Sequence, residues 1–249
     1  MSYAVLVLEH PWFRVSEDPA QTSIAPFLDG LSRLNGLSVF YATFFDARSF
    51  GQALEHLMDA RKLDGIKKVI VYVASHGSGG RIGGEIGINL RTVFRRITEL
   101  GHDKVVGVIL DACDVGMQFD IIEAGMNEAH IRWVTGFSAS LDWLTATSIH
   151  LHLLSSLSSL TIGQLGKRAN LVEAVQTAMD VFNPALLIPL QEDDDEENGV
   201  EEEAGSEDDE DDEDESLSLS EVMTVMIRPN GSSPELLDAE EIWPMLAAD

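Results

Sequence analysis

Five short apolar runs, rich in β-branched residues, recur along the chain between longer amphipathic stretches: Tyr3–Leu8, Leu37–Phe44, Lys68–Ala74, Val105–Leu110 and Ile131–Phe137. Each is apolar on both faces, the pattern of a strand covered on two sides. The stretches between them repeat with helical period. Ile24–Leu34 is one; Phe50–Leu63 places Leu54, Leu57 and Met58 on one face, and Met117–Glu128 precedes the fifth run. Further helical stretches cover Leu141–Leu160 and Asn170–Phe182. Buried strands alternating with helices predict an α/β fold, a mostly parallel sheet flanked by helices. The glycine-rich Gly79–Ile88 predicts a short hairpin inserted after the third strand.

After Pro189 the pattern breaks. Of the 24 residues Glu192–Glu215, 18 are Asp or Glu, and Val200 is the only large apolar side chain among them. Such a block cannot offset the entropy of ordering, so a disordered acidic loop is expected over 191–216. Glu221–Arg228 then reads as a strand and Pro234–Leu246 as a last helix. That organisation gives one domain over 1–190, the loop, and a strand and helix over 217–249 that complete the domain.

The block also explains the charge. The whole chain carries a formal −27, and the remainder without the block about −9, so the acidity belongs to a segment and not to the fold. A negative balance argues against nucleic acid, whose phosphates would be repelled. No apolar run reaches the 18 or more residues of a membrane span, and Met1–Tyr3 has no basic flank like that of a signal peptide. A single cysteine excludes an internal disulfide framework and fits a reducing compartment. A cytoplasmic protein with no membrane or nucleic-acid partner is expected.

Two strand ends carry distinctive chemistry. The third strand ends in Ala74-Ser75-His76-Gly77-Ser78-Gly79-Gly80, the fourth in Leu110-Asp111-Ala112-Cys113-Asp114-Val115-Gly116. In open α/β sheets functional groups gather beyond the carboxyl ends of strands. If these strands are neighbours, His76 and Cys113 leave one edge together. An imidazole beside a thiol can take its proton and later protonate a leaving amine. The backbone N–H groups of Gly77 and Cys113 are the natural donors for an oxyanion, and a helix starting at Asp114 would favour a thiolate.

These two loops resemble the His-Gly and Asp-x-Cys-x-x-Gly loops of caspase-fold cysteine peptidases, most closely the clostripain-like and metacaspase-like branches. The resemblance covers roughly residues 1–160. The caspase signature Gln-Ala-Cys-x-Gly itself is not matched, since Asp111 replaces the Gln and an extra residue precedes Gly116. The resemblance implies a caspase-like sheet and a cysteine endopeptidase with a His76–Cys113 dyad. It also implies that Asp111, two residues before the nucleophile, lines the specificity pocket and pairs with Arg or Lys of a protein substrate. Gly136–Trp143 resembles the segment that walls such a pocket, which adds Ser138, Asp142 and Trp143 as candidate substrate-binding residues. Regulation by a protein partner or by processing, as in a defence response, is implied by analogy alone.

Blander readings stand beside these. A lone cysteine can be a small buried hydrophobe, and Asp111 a strand-end cap. His150 and His152 read as packing or surface residues. The hairpin glycines lack the lysine and spacing of a P-loop, so a nucleotide enzyme ranks last, and they read as a flap. No metal site or cofactor is expected; the acidic block could collect Ca2+ loosely, though it has no calcium-loop spacing. It is otherwise a solvated linker or a dock for a basic partner. The main alternative to a peptidase is a catalytically silent interaction module acting through that block. Lys167-Arg168, in a loop-like Gly163–Arg168, is the candidate autoprocessing site.

Overall fold

The computed structural model describes residues 3–11, 23–59, 61–83, 87–101, 103–189 and 216–248. The first three apolar runs form β1 (Tyr3–Glu9), β2 (Ser38–Thr43) and β3 (Lys68–Ala74). The glycine-rich insert folds as a small antiparallel sheet of β4 (Gly77–Ser78), β5 (Arg81–Ile82) and β6 (Ile88–Asn89). The last two runs give β7 (Val105–Asp111) and β8 (Trp133–Phe137). Beyond a two-stranded ribbon of β9 (Leu187–Pro189) and β10 (Ser216–Ser218) come β11 (Met223–Ile227) and β12 (Glu235–Leu236). The main sheet has seven strands in the order β12-β11-β8-β7-β3-β1-β2. Its five central and edge strands from β8 to β2 are parallel, while β11 and β12 join antiparallel.

The alternation along each strand sorts the core into two layers. Tyr3, Val5, Val7, Ile70, Tyr72 and Ile109 face α1 (Ala25–Asn35), α5 (Trp143–Ser159) and α7 (Arg168–Met179). Ala4, Leu6, Leu8, Val69, Val71 and Val73 face α2 (Ala47–Leu57), α3 (Leu90–Gly101) and α4 (Phe119–Ala129). With helices on both faces, β1, β3 and β7 are almost wholly buried. This is the α/β arrangement that the two-sided strands predict.

Three elements differ from expectation. Helix α3 is not foreseen, although Leu90, Val93, Phe94 and Ile97 form its buried stripe. The segment 163–168 is not a loop: α6 (Ile162–Leu165) ends there and α7 begins at Arg168. Arg168 pairs with Glu235 and Glu241, so the candidate processing bond lies at the start of a helix whose arginine is already engaged. Finally, after the short helix α8 (Leu219–Val222), 234–246 is not one helix but β12, the turn α9 (Ala239–Ile242) and a 3-10 turn over Pro244–Ala248. Pro244 has no N–H to continue α9 and disfavours helical backbone at Trp243, which adopts φ −123° and ψ 86°. The disorder expected of the acidic block falls on residues outside those described, save Ser216, which opens β10.

Candidate active site

β3 and β7 are adjacent and parallel, with Ala74 opposite Asp111, and the Ser75 N–H extends the ladder to the Asp111 carbonyl at 3.0 Å. His76 therefore leaves the sheet one residue after the last rung, and Cys113 two residues after Asp111. Both line one cavity of about 220 Å³, together with Ser75, Asp111, Ala112, Phe137, Ala139, Ser140, Leu141, Asp142, Trp143 and Ala146. That volume suits a single side chain and not a drug-sized ligand, which occupies several hundred Å³. His76 is exposed and Cys113 half-buried.

The glycines of the two motifs are close-approach positions. A Cβ on Gly77 would lie 2.0 Å from the Cys113 carbonyl oxygen and 2.8 Å from its nitrogen, so the histidine loop packs directly on the cysteine backbone. A Cβ on Gly116 would lie 2.6 Å from the Phe137 carbonyl carbon and 2.8 Å from Thr224 Oγ1, which pins the cysteine loop against the end of β8. Between them Asp114 turns the chain with φ 60°, a left-handed conformation that Asp tolerates better than most residues. The Gly83 N–H donates to the His76 carbonyl at 2.8 Å. Antiparallel pairs alternate in hydrogen bonding, so at the next pair, Gly77 with Ile82, the Gly77 amide turns away from the hairpin.

No helix starts at Asp114. A 3-10 turn over Val115–Met117 intervenes and α4 begins at Phe119, because the sharp turn at Asp114 and the packing of Gly116 occupy those residues. The helix-dipole contribution expected at the thiol is therefore absent at that position. A hydroxyl stands there instead: Ser140 Oγ donates to Cys113 Sγ at 3.2 Å.

The floor of the cavity is acidic. Asp111 is only 3% exposed. Its Oδ2 accepts from the Tyr72 hydroxyl at 2.7 Å, and its Oδ1 lies 3.0 Å from His150 Nδ1. Burial pushes the Tyr72 phenol well above the ordinary tyrosine range, with the Asp111 charge and hydrogen bond adding to the shift. The walls (Phe137, Ala139, Leu141, Trp143, Ala146) are largely apolar. The cavity thus has largely apolar walls around the buried Asp111 carboxylate, with Asp142 as a second, exposed acid in its lining.

Of the expected substrate-binding residues, Asp111, Asp142 and Trp143 line this cavity and Ser138 does not. Ser138 turns toward the C-terminal segment instead, its N–H and Oγ both directed at the Val222 carbonyl, at 2.9 and 3.2 Å. Asp142 is the N-cap of α5, where Oδ1 accepts from the N–H groups of Leu144 and Thr145 at 3.1 and 3.0 Å; half of its carboxylate is spent on the helix.

Residues that sequence reasoning passed over also gather here. His150 is fully buried, not a surface or merely packing residue. The signal that could have found it is periodicity: Trp143, Ala146 and His150 fall at i, i+3 and i+7 on one face of α5. Ser140 lies two residues from Ser138 in the same wall segment. His10, just after β1, donates its backbone N–H to the Ala74 carbonyl at 2.9 Å and packs edge-on to Phe44 and Phe45, with ring centroids at 5.5 and 6.3 Å. Burial lowers its imidazole below the ordinary range, the Pro11 backbone opposes this, and the charge of nearby His76 lowers it further. Among the described residues no cluster of His, Cys, Asp or Glu could hold a metal ion, and no helix is long and apolar enough to cross a membrane.

No family model matches the chain, and no curated protein matches it. Among solved structures it is similar to a secreted C11 cysteine protease from Bacteroides thetaiotaomicron, whose X-ray structure is in complex with an irreversible peptide inhibitor. The two share 10% identity with a TM-score of 0.48, over 99% of this chain and 68% of that one.

Proposed function

We propose that this chain is a cysteine endopeptidase that cleaves proteins after Arg or Lys. The observation that carries the reading is the meeting of His76 and Cys113 at one cavity whose apolar walls end in the buried carboxylate of Asp111. A long basic side chain would lay its methylenes along Phe137, Leu141 and Trp143 and its cation on Asp111. The scissile carbonyl would then sit at the mouth, beside Cys113.

The chemistry follows from the groups present. Cys113 Sγ attacks the carbonyl carbon as its proton passes to His76. The resulting oxyanion takes hydrogen bonds from the N–H groups of Gly77 and Cys113. The carbon–nitrogen bond breaks as His76 returns the proton to the leaving amine, and an acyl-thioester remains on Cys113. Water, deprotonated by His76, attacks the thioester; the carboxylic acid leaves and the thiol is restored.

Cys113→Ala and His76→Ala should each lower cleavage of Arg- or Lys-containing reporter peptides by at least about 10³-fold with the circular dichroism spectrum unchanged. A folded Cys113→Ala protein with full activity would end the reading. Asp111→Asn should cost about 2 kcal/mol of transition-state binding on basic substrates, the worth of a charge-assisted contact. An unchanged preference at the cleaved residue would remove Asp111 from the pocket and leave the dyad standing.

A further inference from the structure

The acid on the cavity floor does not hold itself in place. Each of its oxygens already meets one buried group: Oδ2 the Tyr72 hydroxyl at 2.7 Å, Oδ1 the His150 imidazole at 3.0 Å. The His150 ring is itself wedged between aromatics, with its centroid 4.7 Å from that of Phe137 and 6.0 Å from that of Tyr72. Its other nitrogen, Nε2, is buried without a hydrogen-bond partner among the described residues. A proton on Nε2 would have no acceptor, so the hydrogen-bond inventory assigns the tautomer in which Nδ1–H is donated to Asp111.

We propose that His150 and Tyr72 are the positioning residues of the specificity pocket: two donors that orient the Asp111 carboxylate toward a guanidinium or ammonium group. A carboxylate offers about four lone-pair sites. Two are taken from below, by groups that arrive from β3 and α5, and the remaining two stay available to the slot. The two bonds fix the plane of the carboxylate, and a planar guanidinium needs that plane held to bind with two parallel hydrogen bonds. Burial makes both donors necessary, since a carboxylate taken out of water without hydrogen bonds loses the solvation its charge needs. His150 touches neither the scissile bond nor Cys113. It bears on the slot through Asp111 and through the Phe137 ring packed beside it.

The inference rests on the assignment of Asp111 as the specificity acid, and its test is therefore a binding measurement that needs no turnover. Agmatine, a guanidinium on a four-carbon chain, is titrated calorimetrically into the full chain, and the alkylation rate of Cys113 by iodoacetamide is followed in parallel. His150→Phe keeps a flat ring but removes the donor; His150→Asn places an amide N–H close to the position of Nδ1; Tyr72→Phe removes one oxygen. The expected result is a loss of agmatine affinity of at least tenfold in His150→Phe and Tyr72→Phe, recovery to within about threefold in His150→Asn, and an unchanged alkylation rate throughout. Should His150→Phe fail to fold, Tyr72→Phe carries the same test on the other oxygen.

Wild-type affinity in both donor-deleted variants overturns the proposal. So does an Asn variant as weak as the Phe variant, which would make His150 a packing residue. If the wild-type chain does not bind agmatine, the proposal falls together with the Asp111 assignment. If it binds agmatine but cleaves no peptide, the peptidase reading fails while the tenfold losses still sustain the positioning role.

Discussion

Gly77 has no room for a side chain, and the obstruction is the backbone of Cys113, whose carbonyl oxygen lies 2.0 Å from where a Cβ would be. Gly77→Ala must push the two loops apart, at a cost of about 1–3 kcal/mol in stability, as overpacking usually does. Because the displaced atoms belong to Cys113, peptide cleavage should fall by more than about 10²-fold, further than the stability loss alone explains; a variant with near-normal kcat would separate Gly77 from the catalytic geometry. His10 gives a second expectation, in pH. Its imidazole is held below the ordinary range, burial being the largest cause. The unfolded chain therefore takes up this proton at higher pH than the folded one, and stability is lost as pH falls through the ordinary histidine range near ~6.5. Tm should drop more steeply between about pH 7 and 5 in the wild type than in His10→Asn; equal slopes would discard the effect. At this scale the sequence is legible where strand ends place a residue and obscure where a loop decides its direction. His76, Cys113 and Asp111 follow from the rungs of β3 and β7. Ser138 and Ser140 differ only in which way the chain turns after Phe137, and no local pattern encodes that.

Helix α5 forms the wall opposite the sheet, and its first turn serves both fold and cavity. Asp142 caps it with two hydrogen bonds from backbone N–H groups while lining the cavity mouth. Asp142→Ala should lower stability by about 1 kcal/mol, the usual worth of such a cap, which is about 2–4 °C in Tm for a chain of this size. Asp142→Asn keeps the capping oxygen and removes the charge. If the cap is the residue's work, the Asn variant retains both Tm and the preference for basic residues; a lost preference at unchanged Tm would instead make Asp142 a second pocket acid. Elements with two-sided or evenly periodic patterns were readable in advance, as β1, β3, β7, α1 and α7 illustrate. Helix α3 has as clear a stripe, in Leu90, Val93, Phe94 and Ile97, and a polar start at Asn89, whose Oδ1 accepts the Arg91 N–H at 2.9 Å, but it follows the glycine-rich hairpin without a loop to separate the two patterns. The C-terminal segment misled in the other direction. Its apolar spacing suits a helix, yet Pro244 divides it and Trp243 buries its ring, donating Nε1–H to the Met179 carbonyl at 3.2 Å.

At the scale of the whole molecule, the question is whether the acidic block belongs to the fold or is only attached to it. β9 and β10 flank the acidic block in sequence and pair antiparallel, with Pro189 opposite Ser216. From there β11 enters the sheet beside β8, and the C-terminal residues seal α7 through Trp243. Both ends of the interval 190–215 are therefore held together by residues outside it. Replacing its 26 residues with a four-residue Gly/Asn/Ser turn should then preserve the structure, while the formal charge falls from −27 to −9. Shorter loops cost less entropy to close, by about 0.6 kcal/mol per halving of length, so the shortened chain should be more stable by about 1–2 kcal/mol. That corresponds to a rise of about 2–8 °C in Tm. A fall of more than about 5 °C would mean that the block makes contacts the body depends on. The same variant separates the competing functional readings. If the chain is a peptidase, cleavage of small basic reporter peptides survives the deletion, since every group assigned to the chemistry lies outside the interval. If it is instead an interaction module acting through its acidic segment, binding to a basic probe such as polylysine disappears with the block, and no Cys113-dependent cleavage is found before or after.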